Sequence, residues 1–385
     1  MTRGRCVVFV PLIAFLCSLS VSVAWASCQV EREIAGEPAL FVRHLSLDCS
    51  QAERVAQAVT AQEILQALKA GQGLSIRNAV VSGDLLLTQL PTVPVAAIVL
   101  PPSLLADLAQ SLVTEVRVIR GPFMIRDSVM DGIMDTQFKP DMVEHRLLGD
   151  RVVIQGPVVF RGTTFTKDVD LSKTMFLGPV ESDQARFLGD ALFLSCIFDQ
   201  PATFEKTAFA GSARYYQTVF HEPVTFLRAG FNGLTNFLSV TFKKEASFSR
   251  AYFKMGAGFS GSRFEGISDF SESLFEQNVF FSHAVFGADT YFQRATFRGE
   301  VNFSDAVFKA KDDFAKVFYQ QAPNFTRAKF SASRSPIGLD NPVFLAAAAG
   351  ALAVFLALLI AILKKQSEGG RDAPPNDARQ EPRKQ

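Results

Sequence analysis

The sequence predicts an all-β solenoid, and three patterns carry this prediction. Aromatic residues return at alternating steps of about five and six between residues 160 and 330, a small residue recurs two positions before the second aromatic residue of each pair, and the frame never slips. The repeating unit is therefore about 11 residues long and occurs roughly sixteen times. A helix cannot use this pattern, because such positions fall on different faces at 3.6 residues per turn. A solenoid can, with each step forming one side of a coil and each ring pointing inward.

The aromatic frame supplies the candidate core. Its members are Phe160, Phe165, Leu171, Phe176, Ser182, Phe187, Phe193, Phe198, Phe204, Phe209, Tyr215, Phe220, Phe226, Phe231, Phe237, Phe242, Phe248, Phe253, Phe259, Phe264, Phe270, Phe275, Phe281, Phe286, Phe292, Phe297, Phe303, Phe308, Phe314, Tyr319, Phe325 and Phe330. We expect these rings to be buried, and we take as representative core residues Phe160, Phe165, Phe193, Phe198, Phe253, Phe259, Phe264, Phe297, Phe303 and Phe308.

A second column of positions is small. It is occupied by Thr163, Thr174, Ala185, Cys196, Thr207, Thr218, Ala229, Ala251, Ser262, Ser273, Ala284, Ala295, Ala306 and Ala328, with Val240 and Val317 as the larger members. In an extended segment, residues two apart share a face, so this column also looks into the core. A large ring beside a small residue at nearly every level fills a narrow interior without voids.

The unit resembles the pentapeptide repeat in its Phe-centred form. The resemblance is carried by "TFRGEVNFSDAVF" (296–308) and "NFSDAVFKAKDDF" (302–314), and the frame extends it over nearly half of the chain. It implies a right-handed quadrilateral parallel β-helix with stacked inner Phe or Leu. Ser182, Asp312 and Pro323 depart from the pattern, and we expect looser packing at these positions.

The charge balance argues against a nucleic-acid partner. The formal net charge is +1, and the outward positions of the repeat mix acidic and basic residues, as on a solvated surface. Some proteins with this repeat mimic DNA and inhibit topoisomerases. That role needs a cytosolic acidic cylinder, which neither the charge nor the ends of this chain suggest.

The N-terminus has the pattern of a secretory signal peptide over residues 1–26. Arg3 and Arg5 precede an apolar run, and Ala24-Trp25-Ala26 forms a small-residue cleavage site. An uncleaved signal anchor remains an alternative, as does a lipoprotein anchored through Cys28.

Export makes disulfides possible, and the position of each cysteine in the sequence then indicates whether it can form one. Two of the five belong to the predicted signal peptide, and Cys196 lies in the inward small column, where a buried thiol is inert. We therefore predict a Cys28–Cys49 disulfide. A metal site is the alternative, but it needs more ligands than the scattered histidines supply. The histidines are His44, His145, His221 and His283.

The region before the regular repeats divides into two predicted parts. Residues 27–73 form a cap segment, whose helix begins at a capping box made by Thr60 and Glu63 and covers the open end of the solenoid. Residues 74–155 form irregular coils that start near Leu74, and "VRVIRGPFMIRDSVM" (116–130) aligns with "RVVIQGPVVFRGTTF" (151–165). The insertions 88–113, with a short helix over 103–112, and 131–148 break the repeat and are candidates for a specific contact.

The C-terminal part predicts a membrane anchor. After the regular β-helix (156–333) and a polar linker (334–341), residues 342–363 carry no charge, and Lys364 and Lys365 follow. About 22 residues at 1.5 Å each give roughly 33 Å, enough for a transmembrane helix. The lysines place the disordered tail, 364–385, in the cytoplasm. The predicted location is the bacterial inner membrane, single-pass, with the β-helix periplasmic.

No catalytic motif, cofactor fingerprint or metal-ligand spacing is found in the sequence. The acidic residues Asp183, Glu205, Glu265 and Glu272 occupy scattered outward positions. We therefore expect a non-enzymatic scaffold that binds another envelope protein or a second copy of itself. The alternatives are a β-helix enzyme acting on envelope polysaccharide, and an accessory subunit of a membrane complex acting through its transmembrane helix.

Overall fold

A computed structural model describes residues 28–32, 40–102, 104–105, 108, 113–136 and 151–331. The described chain winds as a parallel β-solenoid of about eleven coils with four sides, each side a sheet whose neighbouring strands come from successive coils. In the regular part each residue pairs with the residue 22 positions further on, as Ala202 pairs with Val224. The predicted parallel β-helix is therefore confirmed, while its handedness stays a prediction.

The sides are named in the order in which the chain meets them within a coil, and they carry twelve, eleven, nine and eleven strands. The first side consists of Val30–Glu31, Leu40–Leu45, Gly73–Arg77, Phe123–Arg126, Val158–Val159, Val180–Glu181, Ala202–Thr203, Val224–Thr225, Ala246–Ser247, Ser268–Asp269, Thr290–Tyr291 and Asp312–Asp313. The second side consists of Val59–Thr60, Val80–Ser82, Val129–Asp131, Thr164–Phe165, Arg186–Phe187, Ala208–Phe209, Gly230–Phe231, Tyr252–Phe253, Leu274–Phe275, Thr296–Phe297 and Phe318–Tyr319.

The third side consists of Leu85–Leu86, Met134–Asp135, Val169–Asp170, Ala191–Leu192, Ala213–Arg214, Thr235–Asn236, Ala257–Gly258, Val279–Phe280 and Val301–Asn302. The fourth side consists of Thr92–Pro94, Glu115–Ile119, Arg151–Ile154, Thr174–Phe176, Ile197–Phe198, Val219–Phe220, Thr241–Phe242, Arg263–Phe264, Val285–Phe286, Val307–Phe308 and Lys329–Phe330. Two pairings at the N-terminal end are antiparallel, between Val30–Glu31 and Leu40–Leu45 and between Thr92–Pro94 and Glu115–Ile119.

The core is built from columns of stacked rings. Phe209 lies between Phe187 and Phe231, with ring centroids 5.1 and 5.0 Å away and planes within 6° of parallel. Neighbouring columns meet edge to face, as Phe248 and Phe259 do at 5.3 Å and 85°. Aromatic pairs prefer these two geometries, because they bring positive ring edges near negative ring faces. The distance between successive coils therefore sets both the separation of paired strands and the separation of stacked rings.

Left-handed corners turn the chain. The second residue after the first ring of each unit has a positive φ, which a type II turn requires at its third position. The non-glycine residues of this column in the regular repeats are Lys173, Gln184, Ser195, Lys206, Gln217, Arg228, Ser239, Arg250, Glu272, His283, Arg294, Asp305, Lys316 and Arg327. Backbone bonds between coils hold the strained conformation: Lys206 donates its N–H to the carbonyl of Leu227 at 2.9 Å.

The small column serves the backbone as well as the packing. The hydroxyl of Thr207 donates to the carbonyl of Ser182 at 2.7 Å, and that of Ser262 donates to the carbonyl of Phe237 at 2.5 Å. Each bond joins one coil to the coil before it. Thr207 and Ser262 are therefore tolerated in a dry interior because their hydroxyl donors are used. The buried hydroxyl of Thr174 is an exception, with no hydrogen-bond partner among the described residues.

The repeat's departures have unequal effects. Ser182 interrupts one ring column, and its buried hydroxyl has no hydrogen-bond partner among the described residues. Near Asp312 and Pro323 the rings of Phe314 and Phe325 still stack at 5.0 and 4.9 Å, but both are only partly buried. At Pro323 the third side is reduced to one isolated bridge between Asn302 and Asn324, since proline brings no N–H to extend the pairing.

The solenoid begins earlier than expected. Leu40–Leu45 pairs in parallel with Gly73–Arg77, so the ladder starts at Leu40 and the expected start near Leu74 is wrong. Helix α1 (Gln51–Ala56) and helix α2 (Ala61–Lys69) lie within this first coil, after its first strand. The predicted capping box of α2 is present, with Thr60 accepting from the N–H of Glu63, and five of its residues are buried. The structure thus places α2 as a helix inserted in a coil, and its role as an end cap stays a prediction.

The described residues of the insertion 88–113 pack on the rod. The insertion includes 3₁₀ turns at Leu87–Gln89 and Val95–Ala97, and the described residues of its predicted helix are helical. Its side chains join the outer surface of the fourth side in a second hydrophobic cluster. The buried members of that cluster are Leu100, Leu104, Leu108, Val113, Val116, Val153, Met175 and Ile197. Branched and long apolar residues on the outside of these early coils are thereby removed from water.

The predicted alignment of 116–130 with 151–165 is confirmed, because Val118 pairs with Val153 and Val129 with Thr164. The second insertion starts later than expected, since Met134–Asp135 is still a strand of the third side. Residues 137–150, the predicted signal peptide 1–26 and the predicted transmembrane helix 342–363 lie outside the described residues. The described part of the chain contains no helix long and apolar enough to span a bilayer.

Candidate functional site

The predicted disulfide partners are joined in the structure. Cys28 and Cys49 form a disulfide with a Cα–Cα distance of 4.4 Å, and the N–H of Ser46 donates to the carbonyl of Gln29 at 3.0 Å beside it. The bond ties the segment 28–32 to the connection between the strand Leu40–Leu45 and helix α1. Its place at the end of the rod makes it a structural clamp.

The ten representative core rings are placed inside the solenoid, and each is at most 2 % exposed. They form no surface with which a ligand could make contact. Cys196 is also fully buried, and this burial raises the pKa of its thiol far above the ordinary value. These inward positions stabilise the fold and do not form a site.

Of the four outward acids, the structure brings Asp183 and Glu205 onto neighbouring coils and leaves Glu265 and Glu272 apart from them. Asp183 and Glu205 lie on the first side, where the carboxylate of Asp183 accepts the N–H of Glu205 at 2.9 Å. Glu272 lies at the corner between the first and second sides, and Glu265 belongs to the fourth side. Arg250 and Arg294 pair with Glu272 at 2.9 and 3.6 Å. Among the described residues, no group of three His, Cys, Asp or Glu side chains is arranged to hold a metal ion.

His221 is largely buried and pairs with an acidic side chain. Its Nδ1 lies 3.0 Å from the carboxylate of Asp199, and the two side chains are only 11 % and 15 % exposed. The buried Nε2 has no hydrogen-bond partner among the described residues. His283 does lie at the surface, 71 % exposed. The His221–Asp199 pair is a local polar contact on the fourth side.

A groove on the third side is lined by apolar residues together with Arg214, Asn236, Gln277 and Asn278. It has a volume of about 580 Å³. Its floor is Gly258, which lacks a side chain, and Phe280 stands one coil further along the same side, 41 % exposed. Leu234 and Met255 form the adjoining rim and are 59 % and 52 % exposed. Contiguous exposed apolar side chains of this size mark interaction surfaces more often than chance allows.

The third side is also the side with few charges. Its two outward columns from Leu192 to Thr326 contain a single charged side chain, Arg214, among the residues that the structure describes. The members of these columns are Leu192, Leu194, Arg214, Tyr216, Asn236, Leu238, Gly258, Ser260, Phe280, Ser282, Asn302, Ser304, Asn324 and Thr326. A partner can therefore cover this side without desolvating many charges.

Charged ladders lie at the corners. Arg327 donates two hydrogen bonds of 2.7 and 2.6 Å to Asp305 at the corner between the third and fourth sides, and these bonds lower the pKa of Asp305. At the corner between the first and second sides, the hydrogen bond from Arg250 lowers the pKa of Glu272. These ion pairs are exposed and screened, so they contribute solubility more than stability.

The groove was not predicted from the sequence, although one signal for it exists. Phe280 and Phe318 are off the ring frame, each directly before a framed aromatic residue. An off-frame residue beside an inward one points outward, because successive strand residues alternate. The glycine beside Phe280 is 22 residues earlier, and only the coil length brings the two together.

Comparison with known proteins supports the same repeat. Residues 183–230 and 270–317 match the family model for pentapeptide repeats (9 copies). No significant match to a curated protein or to a solved structure accompanies it. The matched stretches lie within the regular coils, where the ring columns are continuous. These two stretches are therefore similar to pentapeptide repeats, in agreement with the resemblance noted in the sequence.

Proposed function

We propose that the protein is a non-enzymatic, membrane-tethered scaffold whose rod binds a protein partner in the cell envelope. The observation that carries the proposal is the third side, which has one charged residue in its outward columns, with its exposed Phe280 and the groove at Gly258. Such a patch on a rod held rigid by stacked coils is suited to docking. Binding does not need the converging acid, base or nucleophile of an enzyme.

The proposed tether is the apolar stretch 342–363, with the signal peptide 1–26 directing the rod to the periplasmic side of the bacterial inner membrane. The Cys28–Cys49 disulfide supports an oxidising compartment, because such bonds are rare in the cytosol. About eleven coils at roughly 4.8 Å give a rod on the order of 50 Å long. Helix α2 would lie at the end of the rod opposite the tether.

The test is in-cell crosslinking of the full-length chain, followed by capture and mass spectrometry. A stoichiometric envelope protein, or the chain itself, linked to the third side supports the scaffold. Recovery of the protein without any linked product contradicts it. An accessory subunit acting through residues 342–363 is distinguished by exchange of that stretch for an unrelated span. The scaffold tolerates the exchange as long as the rod stays anchored.

A further inference from the structure

The groove at Gly258 and the exposed ring of Phe280 lie on adjacent coils because of the strand register. Gly258 and Phe280 are register partners in adjacent parallel strands of the third side. The part of the groove over Gly258, called the pit below, and the protruding ring of Phe280 therefore lie one coil apart, at the same position along their strands. A Cβ added at Gly258 would come within 3.2 Å of the tip of Leu238, so the pit is bounded by a flexible side chain.

We propose that the third side is a homodimer interface in which Phe280 of each copy enters the pit at Gly258 of the other. This deepens the proposed scaffold function by naming its surface and partner, and it rests on that function for its cellular meaning. The two rods are antiparallel, related by a two-fold axis that lies in the interface, parallel to the strands and midway between Gly258 and Phe280.

The symmetry follows from the register. A two-fold axis between the two strands exchanges a residue one half-coil above it with the residue one half-coil below it. Phe280 of one copy therefore faces Gly258 of the other, and the same contact is made twice. A parallel arrangement would instead set Phe280 against Phe280 and leave both pits empty. The antiparallel arrangement is the one that fills the apolar pit.

The remaining outward positions are compatible with the same axis. Ser260 faces Ser282 of the second copy, and Asn236 faces Asn302. Arg214, the charged residue in these columns, faces Asn324 and does not meet its own copy. Like charges directly opposite would oppose association, and the register avoids them.

The size of the interface predicts a weak, reversible dimer. The overlap covers six coils, from the level of Arg214 to that of Asn324. With about 4.8 Å per coil and about 16 Å per side, it buries on the order of 1,000 Å² in both copies together, the low end for specific interfaces. Tethering both rods to one membrane would raise their effective concentration and favour association.

The test uses two tagged full-length copies in one cell, one with Asn236→Cys and the other with Asn302→Cys, treated in membranes with a short bismaleimide crosslinker. These positions lie three coils apart in one chain, about 14 Å, so we expect the mixed pair to crosslink at least tenfold more efficiently than either variant with itself. A preference for same-position links would overturn the antiparallel interface.

The contact itself is tested by adding Phe280→Asp to both copies. The charged side chain cannot enter the pit, so the mixed crosslink should fall at least tenfold. Phe318→Asp is the matched control, because Phe318 is an off-frame ring on the second side and is 50 % exposed. Gly258→Glu, which fills the pit, provides a second variant. Anchored amounts and protease resistance of the rod verify that the variants are folded.

The outcomes separate this proposal from the function on which it rests. A mixed crosslink insensitive to Phe280→Asp overturns the knob-in-pit contact. A crosslink from these cysteines to a different protein overturns the homodimer but supports the scaffold. Failure of the third side to crosslink, together with an absence of linked protein in the capture experiment, overturns both.

Discussion

Removing one ring from the middle of a column should be far more damaging than removing one from its end. Phe253 is fully buried and lies between Phe231 and Phe275, with centroids at 4.8 and 4.5 Å. Phe253→Ala should lower the free energy of unfolding by about 3–5 kcal/mol, the range for a Phe-to-Ala cavity in a core that cannot collapse. Both stacking contacts, each ordinarily worth about 0.5–1.5 kcal/mol, are part of that loss.

Phe330→Ala is the matched control. Phe330 ends its column, is half-buried and stacks on Phe308 alone, at 4.8 Å. Its removal should cost about 1–2 kcal/mol, since it buries less apolar area. Urea unfolding of the purified full-length chain gives the two free energies.

Hydrogen exchange gives the location of the damage. Because each coil contacts mainly its neighbours, Phe253→Ala should increase exchange most in the coils around residues 231–275 and least near residue 165. Equal costs for Phe253→Ala and Phe330→Ala, or unfolding at an unchanged midpoint after Phe253→Ala, would refute the ring-column account of stability.

Three further predictions concern single positions in the coils. Ser182→Ala should be neutral or stabilising by up to about 1 kcal/mol, because it removes a buried hydroxyl with no partner among the described residues. Ser262→Ala should destabilise the fold by about 1 kcal/mol, because it removes a donor to the carbonyl of Phe237. Thermal unfolding compares the two variants, and a more stable Ser262→Ala than Ser182→Ala would contradict these hydrogen-bond roles. Gln217→Val should destabilise by about 1–2 kcal/mol at its φ of 57°, while Gln217→Gly should not, and equal unfolding midpoints for the two variants would argue against a strained corner. The Cys196 thiol, whose pKa is raised by burial, should resist alkylation at pH 8 in the folded chain and react once urea unfolds the coils, so rapid native labelling would show that this level opens.

The sequence by itself determined which side chains point into the core. Steps of five and six residues place Phe253 and the other aromatic residues of the repeat inside the coil, because strand alternation and corner geometry act within one repeat unit. The capping box at Thr60 and the Cys28–Cys49 disulfide could also be predicted from the sequence, since each depends on few residues.

The tertiary structure decided which contacts the outward side chains and the insertions make. The early start at Leu40, the packing of 88–113 on the fourth side and the groove between Gly258 and Phe280 all join residues from different coils. The local repeat predicts that such residues point outward. It does not predict what they meet, because their neighbours are chosen by the coil length and by insertions that interrupt it.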